Sequence, residues 1–162
     1  MNTFYESIAP WYDEIFPYQP LQREFILGQC DGLPASQTLL DVGCGTGSLA
    51  LALSGEFASV TGMDPDPAML GLAEKKAMDL DSSARFLPAG MLQLREQFRA
   101  SSLDMILCLG NTLVHLPDEA RVSEMLVQSA EVLRPGGKLI LQVINYDRIL
   151  DQNLAGLPDI EN

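Results

Sequence analysis

Three glycines follow a short apolar run in the stretch LLDVGCGTGSLA, Leu39 to Ala50, and no other feature limits the possible folds as strongly. Glycine adopts backbone angles that are closed to other residues, and without a side chain it lets a ligand approach the main chain. Apolar residues at helical spacing resume from Ser48. The stretch predicts a strand over Thr38 to Val42, a glycine loop and a helix, built either around a ligand or as a plain tight turn.

The spacing of these glycines is GxGxG, formed by Gly43, Gly45 and Gly47. A dinucleotide-binding fingerprint is GxGxxG and needs glycine at the position of Ser48. The spacing therefore argues against a nicotinamide cofactor. In doubly wound folds, ligands bind beyond the carboxyl ends of the strands, and this loop is expected at such an end.

Strand and helix patterns alternate along the rest of the chain, with further strands expected over 57–63, 84–87, 103–109 and 138–144. This alternation predicts an α/β fold with a doubly wound, mainly parallel sheet whose apolar strands are covered on both faces. Asp66 and Pro67 indicate a helix N-cap and first helical position. The helix after Asp118 is expected to bury Val122, Met125, Leu126, Ala130 and Leu133, and Pro135-Gly136-Gly137 to form a turn.

Composition and charge limit the classes of partner that the protein is expected to bind. The formal net charge is −12 and the pI is about 4.2, so nucleic acid is expected to be repelled and a small molecule or a protein favoured. No apolar run reaches the roughly 18 residues of a membrane span, and the first residues lack the pattern of a secretory signal. The three cysteines, Cys30, Cys44 and Cys108, form no CxxC pair, so we expect them to be free thiols in a reducing cytoplasm. Because the sequence has a single histidine, His115, and no close cysteine pair, a zinc site is not expected.

A second acidic signal follows the second predicted strand. Asp64 ends the run ASVTGMD, where a carboxylate is able to accept hydrogen bonds from both hydroxyls of a ribose. The alternative is a turn or helix-capping aspartate. Asp66 is better placed to cap, which leaves Asp64 for a ligand.

Four motifs in order, DVGCGTG, GMDPDPAML, LDMILCLGN and LRPGGKLIL, resemble the class I S-adenosylmethionine-dependent methyltransferases over about residues 36–145. The segments CLGNTLVHL and INYDRIL are similar to segments of the glycine and sarcosine N-methyltransferase branch. The N-terminal YESIAPWYDEIF resembles the helical lead-in that helps to cover the cofactor in this superfamily.

The resemblance implies S-adenosylmethionine as the cofactor, S-adenosylhomocysteine as the product and a Rossmann-like fold. It places Asp41, Gly43, Gly45 and Gly47 around the methionine part of the cofactor. It also places Asp64 at the ribose and Pro65 with Met69 at the adenine ring. The Leu109 carbonyl would accept from the amino group of the cofactor, and Tyr12 would close over the cofactor.

One position departs from the family pattern. After the third strand the family often has an aspartate that accepts from the adenine amino group, and here Gly90 occupies the place. The backbone N–H of Met91 is able to reach the ring, and Gln93 is a second helper. Gly90 is equally explained as a plain turn glycine.

No catalytic dyad is visible in the sequence, and methyl transfer needs none where alignment of a neutral nucleophile supplies much of the rate. The catalytic candidates on the substrate side are His115, Asn111 and Tyr146. His115 is a possible base for a hydroxyl or thiol acceptor, or alternatively a surface or capping residue. The acceptor is expected to be a small molecule, and the resemblance to the glycine and sarcosine branch favours an amine. A cofactor-binding module without complete chemistry and an aminopropyl-transferase-like enzyme stay open as alternatives.

The expected organisation is a helical lead-in over 1–35, the cofactor-binding core over 36–150 and a tail over 151–162. The family fold has seven strands and this chain offers five, so the last two are expected to be missing. An unpaired edge of the fifth strand would favour a homodimer.

Overall fold

A sheet of five parallel strands forms the central layer of the protein, in a computed structural model that describes residues 7–151, without the side chains of 148–150. The strand order is β3-β2-β1-β4-β5. The strands are β1 (Thr38–Val42), β2 (Ser59–Met63), β3 (Arg85–Leu87), β4 (Leu103–Cys108) and β5 (Leu133–Leu141). The expected α/β fold with a parallel sheet is confirmed, whereas predictions for residues 1–6 and 152–162 lie outside the described residues.

Strand β1 lies in the middle of the sheet, and the chain changes direction there. From β1 it builds outward through β2 and β3, then returns to place β4 on the other side. In register, Asp41 of β1 lies between Gly62 of β2 and Leu107 of β4. Such a switch point opens a crevice at the carboxyl ends of the strands, which is where ligands bind in folds of this kind.

Helices precede β1 and follow the later strands, and they cover both faces of the sheet. They are α1 (Tyr12–Ile15), α2 (Pro20–Gly28), α3 (Ser48–Leu53), α4 (Pro67–Asp79), α5 (Leu94–Gln97), α6 (Glu119–Val132) and α7 (Tyr146–Asp151). Short 3-10 turns span Ala9–Trp11, Pro34–Ser36 and Thr112–His115. None of the helices between residues 7 and 151 combines the length and the apolar character that crossing a bilayer requires.

The core has two parts, one on each face of the sheet. Neighbouring residues of β1 point to opposite faces, so Leu40 packs with Met63, Ile106 and Met125, while Leu39 packs in the other part. That second part contains Ile26, Ala50, Leu53, Phe57, Val60, Met105 and Leu107. Burial on both faces explains why the strands read as nearly continuous apolar runs.

Helix α4 begins as its sequence predicts. Asp66 is the N-cap, and its Oδ1 accepts from the backbone N–H groups of Ala68 (2.8 Å) and Met69 (3.2 Å). Pro67 takes the first helical position, where its missing N–H costs nothing. The cap fixes the point at which the chain leaves the end of β2.

Replacing Asp66 with alanine is expected to lower the free energy of unfolding by about 1 kcal/mol, because two helix N–H groups lose their acceptor. Asp66→Asn keeps a capping oxygen and should cost only a few tenths of that, on the order of 0.3 kcal/mol. Urea unfolding of both variants checks this difference. Equal losses for alanine and asparagine would show that charge, and not capping, is the contribution of Asp66.

Two details of the sequence prediction were wrong. Helix α6 buries Met125, Gln128, Ser129 and Val132, while Leu126 is 39% exposed and Ala130 is also exposed. The buried face is rotated from the expected one because Gln128 donates to the Leu92 carbonyl (2.8 Å) and so is buried without an unmet hydrogen bond.

The second correction concerns β5, which spans Leu133–Leu141 and not 138–144. Leu133 pairs with Leu103 and Lys138 pairs with Met105, with a shift of register between the two pairs. The expected turn at Pro135-Gly136-Gly137 is therefore an irregularity inside the strand, and Gly136 has φ +83° there.

Candidate cofactor and active site

The loop from Gly43 to Gly47 joins β1 to α3 and has the left-handed backbone that its glycines predict. Gly43, Gly45 and Gly47 have φ values of +71°, +53° and +75°. The Gly43 N–H donates to the Met63 carbonyl at the end of β2 (2.7 Å). The loop is thereby attached to the neighbouring strand at the edge where the crevice opens.

Two side chains come close to the backbone of this loop. A Cβ placed on Gly45 would lie 3.2 Å from Cε1 of Tyr12, and one on Gly43 would overlap the side chain of Thr112. Part of the reason for glycine here is therefore the approach of the protein's own side chains. The contact of Thr112 with Gly43 is not predicted from the sequence, because no local pattern marks it.

Asp64 connects the glycine loop to the start of helix α4. Its Oδ2 accepts from the Gly45 N–H (2.9 Å) and its Oδ1 from the Asp66 N–H (2.9 Å). A carboxylate has about four acceptor positions, so two are left for a ligand. Burial raises the pKa of Asp64 above its ordinary value, although these two N–H groups oppose the change.

A cavity of about 420 Å³ opens beside this carboxylate. It is large enough for a small molecule of nucleoside size. Eight of the predicted cofactor residues line it: Tyr12, Gly43, Gly45, Asp64, Pro65, Met69, Gly90 and Met91. Residues that the sequence analysis did not single out also contribute to the wall, namely Val42, Leu92, Thr112 and Leu116.

A second cavity of about 470 Å³ adjoins the first, and Tyr12, Gly43, Gly110 and Thr112 line both. Asp41 and Leu109 line this second cavity and not the first. Gly47 is in the lining of neither. A Cβ at Gly47 would overlap the side chains of Phe86 and Ala73, so the packing of the described residues requires glycine at this position.

Asp41 is 4% exposed. Burial, and then the negative charge of Asp64, raises the pKa of Asp41 to about 7. Burial also raises the pKa of the nearby Cys108 thiol to about 12, and that of Cys44 still further, with the charge of Asp41 adding to both. These two cysteines are therefore neutral thiols and poor nucleophiles.

The turn after β3 is held by a side chain. The Gly90 N–H donates to Oε1 of Gln93 (2.8 Å), and the amide of Gln93 donates to Glu96 (3.1 Å). Gln93 is thus engaged in shaping the turn that brings Gly90 and Met91 to the wall of the first cavity.

The three catalytic candidates lie in two different places. His115 lines the first cavity, and its field lowers the pKa of Asp64 to a small extent relative to the effect of burial. Asn111 donates to the hydroxyl of Tyr146 (2.8 Å) and accepts from the Ile144 N–H (3.1 Å). Asn111 and Tyr146 are therefore together, outside the lining of both cavities, and they connect the loop after β4 to the segment after β5.

A comparison with protein families gives a match to the model described as a methyltransferase domain, over residues 39–137. This range holds β1 to β4, the glycine loop, Asp64 and the start of β5. The chain belongs to the methyltransferase-domain family. Membership confirms the resemblance to S-adenosylmethionine-dependent methyltransferases, and with it S-adenosylmethionine as the cofactor of the family.

Relatives of this methyltransferase domain include three proteins of different description. A protein of Geobacillus sp. (strain WCH70) named as a methyltransferase is 35% identical over 86% of this chain and 57% of its own length. A ubiquinone biosynthesis O-methyltransferase of Serratia proteamaculans is 30% identical over 87% of this chain and 59% of its own. The glycine N-methyltransferase of Rattus norvegicus is 36% identical over 72% and 43%. The chain thus spans about two fifths to three fifths of the length of these relatives.

Among solved structures, the fold matches that of an S-adenosylmethionine-dependent methyltransferase from Clostridium acetobutylicum ATCC 824. The TM-score is 0.77 at 24% identity, and the match covers 93% of this chain and 61% of the other. The methyltransferase fold that the motifs imply is therefore confirmed.

The N-terminal segment of the chain is attached to the glycine loop by Asp13 of α1. Its Oδ1 accepts from the hydroxyls of Thr46 (2.5 Å) and Ser48 (2.9 Å), and its carboxylate pairs with Lys76 of α4. Burial raises the pKa of Asp13, but the Lys76, Thr46 and Ser48 hydrogen bonds lower it more, so it lies below its ordinary value. These contacts hold Tyr12, the next residue, against Gly45.

Replacing Asp13 with alanine is expected to lower the free energy of unfolding by about 1 kcal/mol, since its partly exposed carboxylate is screened by solvent. Because its pKa is lowered by folding, this contribution exists above the ordinary carboxyl pKa and disappears as pH falls below about 4. Urea unfolding at neutral and acid pH measures the change, with Glu24→Ala on the exposed face of α2 as control. A difference between Asp13→Ala and wild type that stays constant across this pH range would contradict the assignment.

Proposed function

We propose that this chain binds S-adenosylmethionine across the two joined cavities and transfers its methyl group to a small-molecule acceptor. One observation supports this most strongly: Asp64, buried at the end of β2, holds the glycine loop through Gly45 and keeps acceptor positions on both oxygens. A vicinal diol such as that of ribose satisfies such a carboxylate with two hydrogen bonds.

The residues present suit this cofactor. The first cavity offers Asp64 to the ribose and the apolar surface of Pro65 and Met69 to the adenine ring. The second offers the Asp41 carboxylate and the Leu109 segment to the cationic methionine part. The bound cofactor supplies an electrophilic methyl group, while the chain orients it and excludes water from it.

For the acceptor we favour a small amine, supported by the 36% identity to a glycine N-methyltransferase. A neutral amine attacks without a strong base, so alignment is enough. An oxygen acceptor is the second candidate, because His115 lines the first cavity, where a general base for a hydroxyl would be needed. The net charge of −12 supports a neutral or cationic acceptor and not a nucleic acid.

Self-association and location are further proposals. Within residues 7–151, β5 pairs only with β4, and Leu141, Val143 and Ile144 expose apolar surface at or just beyond its end. This edge favours a homodimer in the cytoplasm, where the three free cysteines would stay reduced. Sedimentation of the protein at several concentrations measures the association, and a monomer at every concentration would refute it.

Calorimetry with S-adenosylmethionine, S-adenosylhomocysteine and NAD tests the proposed function. We expect both sulfur nucleosides to bind and NAD to fail. Tight binding of NAD with no binding of the other two would overturn the proposal. Turnover is then measured on matched panels of amines and hydroxyl compounds, and binding without turnover on any of them favours the alternative of a cofactor-binding module.

His115→Gln separates the two acceptor classes. If the acceptor is an amine, the variant should keep its rate within about threefold, whereas loss of a general base typically costs about a hundredfold or more. A large loss confined to hydroxyl acceptors would favour the second candidate.

A further inference from the structure

Asp41 is a buried carboxylate for which the described residues provide no hydrogen-bond donor to the side chain. It is the penultimate residue of the central strand β1, it is 4% exposed, and it lines the second cavity. Burying a charge without a partner is costly, and proteins usually supply one. A group that is left in this condition beside a cavity indicates a ligand of opposite charge.

The surroundings of Asp41 are acidic or neutral. The charge that acts on it is that of Asp64, whose own oxygens are already engaged by Gly45 and Asp66. The other titratable groups facing this region, from the loop, from β4 and from the lead-in, are Cys44, Cys108, Asp13, Tyr12 and Tyr18. Lys76 is paired with Asp13, and His115 acts on Asp64 and not on Asp41.

We infer that Asp41 is the residue that makes the site distinguish cofactor from product by charge, staying ionised against the sulfonium form and taking up a proton from solvent when the neutral thioether occupies the site. The inference rests on the proposed function. Methyl transfer breaks the carbon–sulfur bond, leaves its electron pair on sulfur and so removes the positive charge. Asp41 then faces a neutral sulfur beside Asp64, while the amino and carboxylate groups of the ligand are the same in both states. Protonation of Asp41 removes the buried charge that the sulfonium had balanced.

The direction of the pH dependence follows from the position of Asp41. In the free protein burial and Asp64 raise the pKa of Asp41 to about 7. A cation in the cavity lowers that pKa, so S-adenosylmethionine binds the ionised form preferentially and releases a proton near neutrality. Its affinity should therefore rise with pH up to about 7 and level off above, while that of S-adenosylhomocysteine stays nearly flat.

Calorimetry with both ligands between about pH 5.5 and about pH 7.5 tests the inference. For the wild-type chain we expect S-adenosylmethionine to tighten by about tenfold across this range and S-adenosylhomocysteine to change less than about twofold. Binding heats in phosphate and Tris buffers near neutrality should differ for the first ligand only, because only it displaces a proton.

Asp41→Asn should lower the preference for S-adenosylmethionine over S-adenosylhomocysteine by about tenfold and remove the pH dependence. Asp79→Asn, an exposed residue at the end of α4, is the control for net charge and should behave as wild type. Equal weakening of both ligands would overturn the inference, because it would show a structural role alone.

His115 provides the competing explanation, because it lines the first cavity and histidine is a common source of pH dependence in proteins. A pH dependence that persists in Asp41→Asn and disappears in His115→Gln would overturn the inference. If Asp41→Asn fails to fold, the absence of proton release by the wild-type chain refutes it instead. Failure of both nucleosides to bind wild type would refute the proposed function, an outcome distinct from binding without charge discrimination.

Discussion

Replacing Gly47 with alanine is expected to lower the free energy of unfolding by about 2–4 kcal/mol. Two costs add: the residue has φ +75°, which disfavours any side chain, and the new Cβ would lie 2.7 Å from the Phe86 ring and 2.9 Å from Cβ of Ala73. Ala73 is fully buried in α4, so it has little room to move. Urea unfolding measures the loss.

Gly71 is the matched control for this substitution. Gly71 lies inside helix α4, whereas Gly47 directly precedes helix α3. No atom lies within 4 Å of the Cβ position of Gly71, and its φ is not positive. Gly71→Ala should stabilise the protein by up to about 1 kcal/mol, because alanine is the better helix former. If both variants changed stability alike, the crowding at Gly47 would be excluded as the cause.

Replacing Asp64 with alanine is expected to weaken S-adenosylhomocysteine binding by about 1–3 kcal/mol, or roughly fivefold to 150-fold. The variant loses the acceptor for the ribose hydroxyls and also leaves the N–H groups of Gly45 and Asp66 without their partner. Calorimetry measures the affinity, and unchanged affinity would remove Asp64 from the site.

A second ligand separates the two losses caused by Asp64→Ala. An S-adenosylhomocysteine analogue without its ribose hydroxyls lacks the groups that Asp64 is proposed to hold. Wild type should bind this analogue weakly, and Asp64→Ala should bind the two ligands about equally. If the analogue lost as much affinity in the variant as the parent ligand did, the loop contacts alone would explain the effect. Asp66→Asn, which keeps the helix cap, controls for a nearby change of charge.

The parts of the fold that the sequence predicts are those whose signals lie within a few residues of one another. Asp66 and Pro67 specify the start of α4 locally, and the three glycines specify a loop with left-handed backbone. The clustering of Asp64 with Gly45 follows once parallel strands are assumed, because both lie at carboxyl ends of neighbouring strands.

The parts that the sequence does not predict depend on distant partners. Gln128 is buried because it bonds to the Leu92 carbonyl, far away in the chain, so an apolar pattern alone assigns the wrong face to α6. Thr112 and Asp13 likewise reach the glycine loop only through the tertiary fold. The division of the site into two cavities, with Asp41 in one and Asp64 in the other, depends on side-chain positions that no sequence spacing encodes.

The two ends of a sheet whose strands are all parallel differ in function, because ligands bind at only one of them. Both cavities open at the end where strands finish, and the connections that lead into the strands lie at the other end. Gly55, between α3 and β2, is on that far side with open space around its Cβ position. A dye or surface tether on the thiol of a Gly55→Cys variant would leave the ligand entrance facing solution, as immobilised binding assays require.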